Sequence, residues 1–186
     1  TTDMNVAQIH ALGLRQLARL RGEMEAVMKE GKFEGDFVAF IKFLNTDPKF
    51  FHTGPEALLA GYRDIAKRID PELPSLFAAL PRAPYGVRAM PSHSDADRAA
   101  YYEAPSLDGT RAGWFVANPK AWRTRPIWSM ETLTAHETVP GHHLQVAQTA
   151  YRKDVLNRWQ RLMCWVSGHG EGWALYAERL MDELAA

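Results

Sequence analysis

The residues best suited to chemistry lie in the last third of the chain. They are His136, Glu137, His142 and His143, within Thr134-Ala-His-Glu-Thr-Val-Pro-Gly-His-His-Leu-Gln145, and Glu171, within Gly170-Glu-Gly-Trp-Ala-Leu-Tyr-Ala-Glu178. Neutral imidazoles and a carboxylate form the usual catalytic zinc set, and a further carboxylate beside the ion can take a proton from water. The common helical arrangement, H-E-x-x-H, places two histidines one turn apart with the glutamate between them. Here Pro140 stands four positions after His136, and the next histidines come six and seven positions on. In a regular helix those spacings separate Cα atoms by roughly 9 to 10.5 Å along the axis, against about 6 Å for the usual one. Pro140 removes a backbone donor and Gly141 admits an unusual turn, so a kink or bulge is expected there. A two-residue bulge would return His142 to the metal, whereas His143 shares the face of His136 without one. One of the two is expected to bind the ion, and the other to hydrogen-bond behind it or to meet substrate.

Glu171 follows His136 by 35 residues, enough for one helix to finish and another to pack back across it. It is the expected third ligand. Glu178 lies two turns further along the same helix face, where a carboxylate can hydrogen-bond a ligand histidine or form an ion pair.

The elements that must position these groups are mostly helical. Apolar residues at three-to-five spacing predict a long helix over residues 5–30, stopping at Gly31. Asp36 is placed to cap a short helix from Phe37 to Leu44, and Gly54-Pro55-Glu56 opens another that runs to about Ile69. A short helix is expected from Pro74 to Leu80. Between Pro81 and Pro126 the prolines break helices, and Gly86–Met90, Ala100–Glu103 and Gly113–Ala117 read as strands, the last two joined by a turn at Ser106–Gly109. Helical periodicity returns over Thr132–Val139, Leu144–Tyr151, about Val155–Val166, and Glu171–Leu184. The fold class expected is mainly α with a small β-sheet (α+β), as one domain: residues 1–80 helical, 81–126 sheet and loops, 127–186 helices with the metal motif.

Composition narrows the partners. Of 186 residues 46% are apolar, and Lys+Arg and Asp+Glu are each 22, so formal charge is zero. Nucleic-acid binders need a basic excess, and none is present. The single cysteine excludes an internal disulfide framework and a thiolate-rich zinc module. It lies in an apolar segment at Cys164 and is expected to be a buried small hydrophobe. The six tryptophans are expected mainly in the core. Apolar runs fall far short of the roughly 20 residues that a membrane span requires. No basic start followed by an apolar run marks a signal peptide, which leaves the compartment open.

Gly170-Glu-Gly-Trp-Ala-Leu-Tyr-Ala-Glu178 is similar to the N-E-G-F-A-x-Y-x-E segment of the aminopeptidase N family, where the first glutamate is the third zinc ligand. Residues 136–145 and 171–178 together resemble more closely the bacterial "domain of unknown function 885" family, with its H-E-x-x-P-G-H-H-L-Q and later E-G-W-A-L-Y-x-E. Tyr101-Tyr-Glu-Ala-Pro105, Asp108-Gly109, Gly113 and Ile9-His-Ala-Leu-Gly-Leu14 extend the resemblance over nearly the whole chain. It implies a gluzincin-like zinc metallopeptidase with a zincin-like helical core. It also implies that the chain is an internal piece of a longer protein, whose exposed helical faces would favour self-association.

By that resemblance one zinc ion is held by His136, one of His142 and His143, and Glu171. Glu137 is the general base, activating water against a peptide carbonyl and delivering the proton to the leaving amine. Tyr101, Tyr102, Arg111, His169 and Tyr176 are candidates to steady the developing oxyanion or to contact substrate, and Tyr176 and Glu178 stand near the ligand set in sequence. The sheet offers an edge for an extended peptide. Two other readings fit the same residues: a helical interaction or scaffold domain without a catalytic metal, and a metal-dependent amidase on a non-peptide substrate. As an isolated piece the chain is expected to turn over poorly, lacking some walls of its cleft.

Overall fold

A computed structural model describes residues 2–95 and 97–185. The chain divides into two compact units, Thr1–Asp47 and Pro48–Ala186. The first holds α1 (Val6–Glu30) and α2 (Phe37–Thr46). Asn5 and Gln8 cap the start of α1 reciprocally, each side chain accepting from the other's backbone N–H, and Asp36 accepts from Ala39 N at 2.8 Å to cap α2. The apolar periodicity in α1 is real, yet none of its residues is buried.

The second unit is built around α3 (Pro55–Ile69). Proline at its first position costs no hydrogen bond, because that N–H has no helical partner. Leu58, Leu59, Tyr62, Ile65, Ala66 and Ile69 recur at helical spacing on one buried face. Their core partners include Phe115, Ala117, Met130, Ala135, Val139 and Leu144, and Tyr62 meets Phe115 edge-on with ring centroids 4.9 Å apart. The expected helix over Pro74–Leu80 is shorter, α4 (Leu73–Leu76). Phe77 turns extended instead and lays its ring toward Trp173, 6.4 Å between centroids.

Three strands form the sheet: β1 (Tyr85–Ala89), β2 (Tyr101–Glu103) and β3 (Gly113–Ala117), in the order β1-β3-β2. β3 pairs parallel with β1, Val87 opposite Phe115, and antiparallel with β2, Tyr102 opposite Phe115. The central strand is buried along nearly its whole length, which suits its unbroken apolar run Trp114-Phe-Val-Ala117. β2 is left as an edge. The segment leading to it is held by Asn118, whose side-chain amide donates to Asp95 O and Arg98 O, both at 3.0 Å.

The remaining helices are α5 (Met130–Glu137), α6 (His142–Tyr151), α7 (Arg158–Leu162) and α8 (Ser167–Ala185). α7 is much shorter than the expected Val155–Val166. Asn157 and Gln160 cap its start, and the N–H groups of Met163 and Cys164 both turn back to Trp159 O, closing it early. Cys164 is therefore exposed, not buried. α8 begins four residues before the expected Glu171, despite its glycines, and buries Ala174 and Ala177. Among the described residues no helix is long and apolar enough to cross a membrane.

Candidate metal centre

α5 and α6 are two halves of one interrupted helix. The chain leaves helical geometry at Thr138 and returns at His142, with a cis peptide between Val139 and Pro140. Inside the break the ladder is stretched: Gly141 N–H donates to Ala135 O, six residues back, and His143 N–H to Thr138 O, five back. The backbone packs so closely that a Cβ on Gly141 would stand 2.0 Å from His136 O and 2.3 Å from Ala135 O. Only glycine fits there. Trp173, on α8, donates its indole N–H to Pro140 O at 2.8 Å and fixes the break against the helix that carries Glu171.

The interruption selects between the two histidines. His142 turns toward His136, their rings perpendicular with centroids 4.7 Å apart. Nε2 of His136 lies 3.3 Å from Glu171 Oε2, and Nε2 of His142 lies 3.5 Å from the same oxygen. One ligand atom from each of the three residues falls within 4.8 Å of the others. Tetrahedral zinc keeps N and O ligands about 2.0–2.1 Å away, hence about 3.4 Å from one another. The donor types suit such an ion, and the two imidazole–carboxylate distances match that spacing. The other nitrogen of His136, Nδ1, is 2.7 Å from Glu178 Oε1. With its Nδ1–H donated to that carboxylate, Nε2 carries the lone pair toward the cluster.

His143 points the opposite way. Its ring is 1% exposed, Nε2–H donates to Ala83 O at 3.0 Å, and Nδ1 accepts from the Tyr102 hydroxyl at 2.9 Å. Burial pushes its imidazole down to about 4, against the opposing pull of the Ala83 carbonyl. It stays neutral and ties α6 to the sheet. Burial is also the first cause that lowers His142, with the charge of His136 next. Both effects favour the neutral form that a metal needs.

Glu137 is buried on the floor of the same site, 7% exposed. Burial raises its carboxyl to about 7, His136 opposes the shift and Glu171 adds to it. A cavity of about 570 Å³ opens over the cluster, lined by His136, Glu137, His142 and Glu171 together with Ala100, Tyr101, Tyr102, Ala104, Val146 and Trp165.

The other residues singled out in the sequence fall in different places. Tyr101 and Tyr102 line the cavity, but the single phenol proton of Tyr102 is committed to His143. Arg111 is exposed, and its charge acts on Tyr102. His169 meets Gln145, 3.1 Å between Nε2 atoms, beside a separate cavity that Phe77 and Trp173 also line. Tyr176 is 52% exposed and lies against Trp173. Trp165, expected in the core with the other tryptophans, is 53% exposed and forms part of the cavity wall. Nothing in its local sequence marks it out, because α7 had to end early to bring it there.

The fold and the site together define an α+β protein with a His/His/Glu cluster at the mouth of a small mixed sheet. The chain belongs to the family described as bacterial protein of unknown function (DUF885), which it matches over residues 1–186. Among solved structures it is similar to a "putative lipoprotein" from Colwellia psychrerythraea, with a TM-score of 0.89 and 28% identity. That likeness covers 98% of this chain and 32% of the Colwellia protein, so the chain spans about a third of its length. No match was found among curated proteins.

Proposed function

We propose that the chain carries the metal centre of a zinc-dependent peptidase. The observation that carries this reading is the convergence of His136, His142 and Glu171, both imidazole Nε2 atoms lying within 3.5 Å of Glu171 Oε2, beside a buried Glu137. Zinc bound by those three side chains would supply Lewis acidity for a carbonyl oxygen and for a water.

Glu137 does the proton work. Its carboxylate takes a proton from the attacking water and passes it to the leaving amine as the C–N bond breaks. Glu178 keeps His136 in the tautomer and orientation that present Nε2. β2 supports a peptide over other amides. It is the edge of the sheet and borders the cavity, so its outward backbone groups can pair with an extended substrate.

The test is zinc uptake followed by peptide hydrolysis. One equivalent of zinc is expected to bind the wild type and the Glu137→Gln chain alike, while Glu137→Gln lowers peptide turnover by about 100-fold or more. Failure to bind zinc, or turnover that survives the glutamine, removes the proposal.

A further inference from the structure

The cavity lining is of two chemical kinds. One part is the ligand cluster and Glu137. The other is apolar and aromatic, and its most exposed large side chain is Trp165, 53% open, with its ring centroid 5.9 Å from that of His142. Tyr102 lies roughly parallel to His142, at 6.3 Å and 26° between planes. Two aromatic faces thus border the same metal-side histidine. Small residues, Ala100 and Ala104, leave room beside them. Trp165 is seated by a missing side chain: a Cβ on Gly170 would stand 2.2 Å from the indole. The ring therefore rests on the backbone of α8 one residue before Glu171.

We infer that this part of the lining seats an aromatic side chain next to the scissile bond, with Trp165 as the residue that selects it. The inference rests on the zinc-peptidase reading. An aromatic ring entering the cavity beside Trp165 and Tyr102 removes apolar area from water and finds ring systems for offset or edge contact. A cavity of about 570 Å³ lies in the range that holds small ligands.

Binding of phenylalanine hydroxamate and glycine hydroxamate to the zinc-loaded chain tests it without needing turnover. The two probes share the metal-binding group and differ by the ring. The phenylalanine compound is expected to bind about tenfold or more tightly by calorimetry. Trp165→Ala should bring the two affinities within about threefold of each other, and Trp165→Phe should restore most of the gap. Trp165 is exposed enough that its loss spares the fold, and zinc uptake by each variant checks this. Zinc uptake with equal affinity for the two probes, or a gap that survives Trp165→Ala, overturns the aromatic seat and leaves the metal reading standing. No zinc uptake by the wild type overturns both.

Discussion

His136 Nδ1 and Glu178 Oε1 stand 2.7 Å apart across two helices, α5 and α8. This is the carboxylate–imidazole pairing that orients metal ligands and raises their basicity. Glu178→Gln should weaken zinc affinity by about 10- to 100-fold, read by competition with a chromophoric chelator. An affinity unchanged by the glutamine would show that Glu178 is only an ion-pair partner.

The adjacent histidines should separate cleanly. His142→Ala is expected to lose stoichiometric zinc. His143→Ala should keep it but lose about 2–4 kcal/mol of stability in urea unfolding, since it empties a buried site and strands the Ala83 carbonyl. The reverse pattern would mean that the interruption after Glu137 is misread.

Gly141 tests that interruption directly. With carbonyl oxygens 2.0 and 2.3 Å from the position of a Cβ, Gly141→Ala must push backbone apart. A loss of at least about 2 kcal/mol is expected, together with weaker zinc binding, because His142 moves with the segment. Calorimetric unfolding with and without zinc measures both.

Zinc should stabilise the folded chain by mass action. At a free concentration one hundred times Kd the gain is about 2.7 kcal/mol. A thermal shift that rises with zinc, is reversed by chelator, and is absent in His136→Ala is the expected result. A shift of equal size in that variant would place the ion elsewhere.

Leu58, fully buried on α3, reports on the scaffold and not on the site. Leu58→Ala should cost about 2–5 kcal/mol in unfolding free energy and leave zinc stoichiometry at one while the chain is folded.

Much of this architecture was legible in residue types and local spacing. α1, α2 and α3 lie close to where apolar periodicity, Asp36 and Pro55 put them, and β3 matches its expected span. These elements are set by short-range physics, capping and the burial of one helical face. The candidate site residues were legible too, because His136, Glu137, His142 and Glu171 are chemical facts of the chain.

What tertiary structure decided was everything that depends on phase after a break or on partners distant in sequence. Helical spacing carries a face forward only while the helix is regular. At Thr138–Gly141 it is not, so His142 faces Glu171 and His143 faces Tyr102 because the break packs under Trp173. The parallel pairing of β1 with β3 and the arrival of Trp165 over Gly170 likewise follow from chain segments meeting in space. The sequence by itself determined which donors the protein owns; only packing determined that α6 starts at His142 and which imidazole meets the carboxylate, since orientation past an irregular turn is fixed by contacts that local spacing does not encode.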